Sequence, residues 1–376
     1  MEGQGSQPSL SQAEAFARIR LLRSPNVGPV SYRQLIARFG TATAAIEALP
    51  GLASRGKRAY RPAPRDAIER EVDEVRRHGA RYLFDDQDEY PELLRAIESA
   101  PPILTIRGRI ALASQPCVAM VGARNASAAA TRLAREFAAA LTDAGYAVAS
   151  GLARGIDGAA HDGAMPATIG VIASGIDIAY PPQHADLQEQ VASEGLLIAE
   201  QPPGTEPRGR HFPSRNRIIA GLASGTVVVE AAPKSGSLIT ARLAGEAGRE
   251  VMAIPGSPLD TRSQGCNQLI REGAVLVSEP GDVIELLESF TGAPRSAYRV
   301  SESADGFDYS ELEHADPAEG AQAVAGLLTT APVAVDELIR QSGASAAAVH
   351  LALLELELAG DIERHPGGAV SRTGPS

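Results

Sequence analysis

The sequence lacks tryptophan altogether and contains only two cysteines in 376 residues. Cys117 and Cys266 stand far apart, so a disulfide framework and a cysteine-based metal site are excluded, and both residues are predicted to be buried thiols. The seven histidines show no paired ligand spacing except within single helices. We therefore expect neither a metal nor another cofactor.

Long hydrophobic runs are also missing. No apolar stretch reaches about 18 residues, and the first residues lack the charged and apolar regions of a signal peptide. We expect a cytoplasmic protein with no membrane segment. Its hydrophobic content of 44% is enough for two or three domains with real cores.

Acidic residues are absent between Glu206 and Glu230, although the formal net charge of the chain is -11. Because an acidic protein repels polyanions over long range, an anion can bind only at a local positive patch. The stretch without acids contains such a patch, which we call the basic island; its members are Arg208, Arg210, His211, Phe212, Arg215 and Arg217, and Asn216 among them is a further candidate residue. Only Lys57 and Lys234 are lysines; arginine suits phosphate, but genomic base composition explains the excess of arginine better. The basic island predicts a binding site for an anion.

Hydrophobic patterning divides the chain into four parts. Residues 11–64 have helical spacing and predict a small helical domain of the SAM or helix-hairpin-helix kind. In a helix-hairpin-helix, the turn Val27-Gly28-Pro29 would contact DNA phosphates through its amides, whereas a plain connection between two helices is the simpler interpretation. Residues 291–320 are acidic and poor in apolar side chains, so they predict a flexible linker.

The C-terminal part, residues 321–376, predicts three short helices followed by a hairpin, an order that resembles a winged-helix domain. The helix in the recognition position begins near Ala346 and carries no arginine or lysine. Direct reading of the major groove relies on polar side chains of that helix, commonly arginine and lysine. We therefore favour a protein-contact or accessory role for this domain.

Residues 65–290 predict an α/β fold with an extended, doubly wound sheet of Rossmann type. Short apolar runs alternate with helical stretches, and such runs are typical of strands buried on both faces. The clearest helix runs from about residue 127 to 144, with Gly145 after its end. The apolar runs are residues 118–121, 147–149, 169–173, 196–199, 227–229, 251–254 and 275–277.

Three loops follow strands of this predicted sheet, at the edge where doubly wound sheets bind ligands. The first loop is residues 122–125, the second 150–158 and the third 233–240. Their small residues would let successive amides point at one anion. The glycine spacing of these loops is, however, not that of a dinucleotide site or of a P-loop. Each loop alone could be a tight turn, but three of them beside the basic island predict an extended site for a polymeric anion. The candidate residues are Gly122 and Arg124 in the first loop, Ser150, Gly151, Arg154 and Gly155 in the second, and Lys234, Gly236 and Ser237 in the third.

Phe212 admits two interpretations. It stands in polar surroundings in a chain with only 4% aromatic residues, so it either anchors its loop in the core or offers a ring on which a base stacks. Arg215 and Arg217 fall in the first turn of a predicted helix, where arginine opposes the helix dipole. This position favours binding of a ligand, with a surface salt bridge as the alternative.

Five segments, in order along the chain, resemble the DNA-processing protein A family (DprA, also called Smf). They are residues 122–124, 150–157, 211–219, 234–241 and 265–270. The resemblance implies that the protein binds single-stranded DNA without sequence preference, forms homodimers and loads the RecA recombinase onto the strand, notably in natural transformation.

The resemblance also implies roles for individual residues. It places Arg124, Arg154 and Phe212 beside the DNA. One departure is Ala123, where the family commonly has serine or threonine, and the missing hydroxyl should weaken the site only modestly. The stretch around Leu269 and Ile270 is a candidate for the dimer face, with burial in the core as the alternative.

An enzyme remains the other class of function. Related Rossmann proteins, the phosphoribohydrolases, cleave nucleoside monophosphates with a glycine-rich loop followed by glutamates. The third loop here continues without a carboxylate that could assist cleavage. Asp157 and His161 could form an acid and base pair on one helical face, but a helix-terminal and a loop-contact role are simpler. We therefore favour a binding protein without catalytic turnover.

Overall fold

The computed structural model describes residues 10–53, 60–289, 324, 326–365 and 368–373. These residues form two compact units. The first unit contains the described residues up to Arg70 together with those from Val324 onward, and the second contains those from Glu71 to Ser289. The predicted linker, residues 291–320, lies outside the described residues.

The first unit combines an N-terminal helical module with a C-terminal winged-helix module. The N-terminal module contains α1 (Gln12–Leu22), α2 (Pro29–Phe39) and α3 (Ala42–Leu52), and α4 (Arg65–Arg77) leads into the second unit. Ser11 and Thr41 begin α1 and α3 by accepting hydrogen bonds from backbone amides in the first turn. The winged-helix module contains β10 (Val333–Ala334), α13 (Val335–Ser342), α14 (Ala346–Ala359), β11 (Ile362–His365) and β12 (Ala369–Arg372), with strand order β10-β12-β11.

The second unit is built on a nine-stranded sheet with the order β1-β2-β6-β5-β4-β3-β7-β8-β9. The pairs from β6 to β9 along this order are parallel, whereas β1 and β2 add an antiparallel edge. The prediction of an extended doubly wound sheet is therefore confirmed, and the two antiparallel strands extend it beyond the predicted runs. The strands are β1 (Arg81–Phe84), β2 (Ile103–Gly108), β3 (Cys117–Val121), β4 (Ala147–Ser150), β5 (Thr168–Gly175), β6 (Leu196–Gln201), β7 (Gly225–Val228), β8 (Glu250–Ala253) and β9 (Val275–Leu276).

Helices cover both faces of this sheet, because alternate residues of each buried strand point to opposite sides. In β3, Val118 and Met120 pack with α6 and α7, whereas Ala119 and Val121 pack with α9. The helices of the second unit are α5 (Glu92–Arg95), α6 (Ala128–Asp143), α7 (Ile156–Ala164), α8 (Ala185–Glu194), α9 (His211–Leu222), α10 (Gly236–Glu246), α11 (Gln264–Arg271) and α12 (Pro280–Ser289). Within the described ranges, none of the helices is long and apolar enough to cross a bilayer.

Both cysteines are buried free thiols, as predicted. Burial raises the pKa of Cys117 to about 12 and that of Cys266 to about 11. Both thiols therefore stay protonated at neutral pH and act as small apolar side chains.

The strand order reverses at β3, whose two neighbours are β4 and β7. The chain leaving β3 continues into α6 and the chain leaving β7 into α10; these helices pack on opposite faces of the sheet, and a crevice opens between the two strands. Gly122 and the first loop leave β3 at this point, and the second loop leaves β4. The third loop follows β7, the other neighbour of β3, so the fold places all three predicted loops after adjacent strands at one edge of the sheet.

Candidate nucleic-acid interface

The first loop is held by α7 on one side and by the segment after β7 on the other. A methyl group on Gly122 would lie 2.5 Å from Cγ1 of Ile156, so only glycine allows α7 to approach this closely. The Ala123 amide donates a hydrogen bond of 2.7 Å to the carbonyl of Glu230, just beyond β7. The backbone of the loop is held in this way, while the side chain of Arg124 is exposed.

The second loop turns its amides inward. The amides of Gly151 and Ala153 donate to Oδ2 of Asp157 at 3.1 and 3.4 Å, and that of Leu152 donates to Nε2 of His161 at 3.3 Å. The expectation that these successive amides point at a bound anion is therefore wrong, because a buried carboxylate of the chain already accepts two of them. Burial raises the pKa of Asp157, and the guanidinium of Arg215 opposes that rise.

Ser150 and Gly155 hold the same loop in place. The Ser150 hydroxyl is fully buried and donates to the carbonyl of Met120 at 2.6 Å, so this predicted contact residue does not present its hydroxyl to the surface. Gly155 has φ 76°, and a methyl group there would lie 2.2 Å from the Ala123 carbonyl oxygen. Arg154, between them, is exposed.

His161 supports the second loop from the core. Its Nδ1 lies 2.7 Å from Oγ1 of Thr168, while Nε2 accepts from Leu152. Burial, with Arg215 and His184 adding to it, lowers the pKa of His161 to about 3. A neutral imidazole in the interior contacts the loop, which fits the simpler of its two predicted roles.

Arg215 lies beneath the second loop. Its side chain is 6% exposed, and Nη1 donates to the carbonyl of Val171 at 2.9 Å. A methyl group on Gly151 would lie 1.6 Å from Nη1, so the guanidinium packs directly against this glycine. Burial lowers the pKa of Arg215 to about 10, with Arg124 adding to the effect and Asp157 opposing it. The Nε atom is buried and has no hydrogen-bond partner among the described residues.

Arg217 points elsewhere. Its guanidinium forms an ion pair of 2.5 Å with Glu200, and both side chains are largely buried. This pair corresponds to the salt-bridge alternative for Arg217. Asn216, next to it in α9, donates from Nδ2 to the carbonyl of Gly236 at 3.4 Å and so links the basic island to the third loop.

Three side chains form a cluster at the exposed side of the second loop. The Cζ atom of Arg124 lies 5.2 Å from the centroid of the Phe212 ring, within cation–π range. Tyr180, 42% exposed, tilts against the same ring at 54°, with the two centroids 5.7 Å apart. Sequence reasoning missed Tyr180; the signal that could have found it is its position beyond the carboxyl end of β5, on the ligand-binding edge of the sheet.

A cavity of about 290 Å³ opens beside this cluster. Three arginines line it, and no carboxylate belongs to the lining formed by the described residues. The lining residues are Arg124, Gly151, Ala153, Arg154, Ala173, Tyr180, Pro181, Pro182, Gln183, Pro207, Phe212 and Arg215. The structure therefore joins the first loop, the second loop and part of the basic island into one basic and aromatic site.

The remaining candidates lie outside the lining. Arg208 and Arg210 are exposed just before α9, and both lower the pKa of the buried His211, after the larger effect of burial. In the third loop Lys234 is exposed, with φ 66°. The Ser237 hydroxyl lies 2.8 Å from that of Ser235. Ser237 is buried, so this predicted contact residue does not present its hydroxyl to the surface, whereas Arg208, Arg210 and Lys234 are exposed basic residues outside the cavity lining.

Comparison with known protein families matches all three modules. Residues 81–288 match the DNA recombination-mediator protein A family, residues 12–73 the DprA-like N-terminal HHH domain, and residues 310–368 the DprA winged helix domain. The chain is 36% identical over 329 residues to Protein Smf of Escherichia coli, covering 85% of each chain.

Two solved structures are similar. One is the X-ray structure of DNA processing protein A (DprA) from Streptococcus pneumoniae, with a TM-score of 0.55 and 40% identity over 59% of this chain and 77% of that one. The other is DNA processing protein A from Helicobacter pylori, described for its single-stranded DNA binding mode, with a TM-score of 0.52 and 27% identity over 56% of this chain and 96% of that one. With a family model spanning its whole central sheet and a relative aligned over most of its length, the chain belongs to the DNA recombination-mediator protein A family.

Proposed function

We propose that this protein binds single-stranded DNA without sequence preference, as a DNA-processing protein that acts in recombination. Membership of the family supports this function, as does the relative from Helicobacter pylori, which binds single-stranded DNA. The observation that carries the proposal is the placement of Arg124 over Phe212 at the rim of a cavity that Arg154 and Arg215 also line.

The chemistry of this site suits an unpaired polynucleotide. Arg124 and Arg154 are exposed and can contact phosphates, which fixes the position of a strand but carries no sequence information. Phe212 and Tyr180 offer ring faces and edges on which any of the four bases can stack. In a duplex the base faces are covered by their neighbours, so this contact favours single strands.

Binding is proposed to occur without catalytic turnover. Cleavage of a nucleoside monophosphate would need a carboxylate beside the scissile bond. The residues described around the cavity include no aspartate or glutamate, and the nearby Asp157 is buried and accepts hydrogen bonds from the second loop. The phosphoribohydrolase alternative predicts release of free base from nucleoside monophosphates at enzymatic rates, and we expect none.

The finer parts of the proposal concern partners. We propose that the bound strand is handed to the RecA recombinase, with natural transformation as one setting, and that the protein acts as a homodimer. Leu269 and Ile270 on α11 remain candidates for the dimer face, although both pack partly against the core of the second unit. An Ile270→Arg variant studied by analytical ultracentrifugation tests that face.

One titration tests the main function. Labelled oligo-dT and a duplex of the same length are titrated with the protein at two ionic strengths, and the oligo-dT series is repeated with RecA. We expect tighter binding of oligo-dT than of duplex, weaker binding at higher salt, and faster formation of RecA filaments when the protein is present. Equal affinity for both DNAs, or an affinity independent of salt, would contradict the proposal.

A further inference from the structure

The helix in the recognition position of the winged-helix module, α14, is buried on all sides. Ten of its 14 residues are buried. The helix consists of alanine, valine and leucine apart from His350, Glu355 and Glu357, and a helix buried around its circumference has to be covered by neighbours on every face. One face, with Val349, Ala352 and Leu353, packs in the core of the winged-helix module itself.

The N-terminal helices cover another face of α14. Leu354 and Leu358 are 0% and 1% exposed and belong to the same hydrophobic cluster as Leu21, Leu35 and Leu49 of the N-terminal module. We call this contact between α14 and the N-terminal helices the seam. It lies within the first unit and is distinct from the cavity of the second unit.

Polar contacts place the seam at the hairpin turn between α1 and α2. Asn26, in the left-handed conformation with φ 60°, donates from Nδ2 to the carbonyl of Leu358 at 3.1 Å. Further along α2, the Nε2 atom of Gln34 lies 3.5 Å from Nδ1 of His350 on α14. The turn is therefore fastened to the C-terminal end of α14.

A carboxylate faces the same turn. Gly28 is the N-cap residue of α2, which has no side-chain cap and no acidic residue in its first turn, so the positive end of the helix dipole lacks compensation from α2 itself. A methyl group on Gly28 would lie 3.5 Å from Oε1 of Glu357 on α14. Glu357 is also paired with Arg364 at 2.8 Å. An acidic group of the chain thus lies beside the N-cap residue of α2, and a helix N-terminus is a place that attracts phosphate.

We propose that helix α14 masks the hairpin turn of the N-terminal module, so that the turn does not contact duplex DNA while the seam is closed. The turn belongs to a module that matches a helix-hairpin-helix domain, whereas α14 carries no arginine or lysine with which to bind DNA itself. The partner of each surface is the other module of the same chain. This inference goes beyond the proposed function, which depends on the second unit alone.

Masking has a quantitative consequence. If the turn can bind a duplex only when the seam is open, the apparent dissociation constant for duplex equals the intrinsic constant divided by the fraction of molecules with an open seam. Opening the seam should therefore strengthen duplex binding, whereas single-strand binding at the cavity should not change.

Two variants of the full-length protein distinguish the face of α14 at the seam from its face toward the winged-helix core. Leu354→Ala with Leu358→Ala removes side chains at the seam. Leu353→Ala is the matched control, because it is a leucine of the same helix and equally buried, but it faces the winged-helix core. Hydrogen exchange of α2 amides should become faster in the seam variant and stay unchanged in the control. Equal exchange in α2 for both variants would overturn the existence of the seam in solution.

Duplex binding then tests the masking itself. We expect the seam variant to bind a blunt duplex at least about tenfold more tightly than the original protein and the control do. Glu357→Gln keeps the shape of the side chain, removes its charge and tests the same point if the double variant fails to fold; it should also bind duplex more tightly. No gain in either variant overturns the masking. If the unmodified protein did not bind oligo-dT, that result would instead contradict the proposed function and would not bear on the masking at the seam.

Discussion

The guanidinium of Arg124 lies over the ring of Phe212, with Cζ 5.2 Å from the ring centroid. The two residues come from different segments, Arg124 from the first loop after β3 and Phe212 from the first turn of α9. A cation and a ring in this arrangement can hold a phosphate and a base of the same nucleotide.

Replacement of Arg124 by alanine should weaken binding of oligo-dT to a similar extent for all sequences. If Arg124 contacts one phosphate, the slope of log affinity against log salt should fall by about 0.7. Arg124→Lys should restore part of the affinity, because it keeps the charge but loses the planar group that stacks on the ring. Fluorescence anisotropy at several salt concentrations measures both quantities.

The matched control for this variant is Arg132→Ala. Arg132 is exposed on α6, outside the cavity lining, and pairs with Glu136 at 3.5 Å. An exposed pair of this kind adds little to stability, and its loss should leave the salt dependence as it was. The same slope for the original protein and the Arg124→Ala variant would contradict a phosphate contact.

The aromatic pair should contribute through stacking. Phe212→Ala and Tyr180→Ala are each expected to weaken oligo-dT binding by about 1–3 kcal/mol for each base that stacks there. Tyr180→Phe serves as the control, because it keeps the ring and removes only the hydroxyl. If Phe212 instead anchors its loop, Phe212→Ala should lower the melting temperature strongly, and Tyr180→Ala should leave affinity unchanged.

These residues show how far the sequence alone could go. The strands β3, β4, β5 and β7 were predictable because parallel strands buried on both faces form uninterrupted apolar runs. Arg124 could be singled out because its loop directly follows an apolar run, and Phe212 because it lies in the basic island, although its sequence left two interpretations open. Tyr180 was missed, since its contact with Phe212 depends on how two separate loops approach each other.

The direction of the second-loop amides was predicted wrongly for a similar reason. Glycine-rich spacing indicates that a backbone can approach an anion, but it does not say which anion. Here the carboxylate of Asp157 accepts from the amides of Gly151 and Ala153. The absence of arginine and lysine from α14 was visible in the sequence, whereas the helices that cover it are remote along the chain. The acceptor that a loop amide finds and the helices that cover a buried helix both depend on the tertiary structure.

Gly151 should tolerate no side chain, whereas Gly236 at the start of α10 should tolerate one. In Gly151→Ala the new methyl group would overlap Nη1 of Arg215, so the guanidinium has to leave the carbonyl of Val171. Loss of this buried charged hydrogen bond should destabilise the second unit by about 2 kcal/mol and reshape the cavity. Gly236→Ala is the control, because nothing lies within 4 Å of the added methyl group. Equal melting temperatures for the two variants would contradict the close packing of Arg215.

Arg217 is expected to stabilise the fold more than it binds DNA. Arg217→Ala leaves Glu200 largely buried without its partner, and we expect a loss of about 2 kcal/mol or more. Replacing both residues by alanine should recover part of that loss, which a double-mutant cycle measured by urea unfolding will show. Oligo-dT affinity should stay unchanged in the double variant. A clear loss of affinity there would support the predicted DNA contact of Arg217 instead.

The stability of the second unit should fall in mild acid because of His161. Its pKa is about 3 in the folded protein and about 6.5 when unfolded, so the unfolded chain binds the extra proton first. Stability is therefore retained above the unfolded value and decreases as the pH falls below it. Between neutral pH and about pH 5 this single group should cost about 2 kcal/mol.

His161→Gln isolates this effect. The glutamine cannot be protonated in this range, so the variant should lose correspondingly less stability on acidification even if it is less stable at neutral pH. Asp157, whose pKa is raised by burial, acts in the opposite sense, because its neutral form is favoured in the folded protein as the pH falls. This contribution is present in both proteins and cancels in the difference between them. Hydrogen exchange of β4 amides reports the second unit alone, and an equal pH dependence in both proteins would show that His161 is not held neutral by burial.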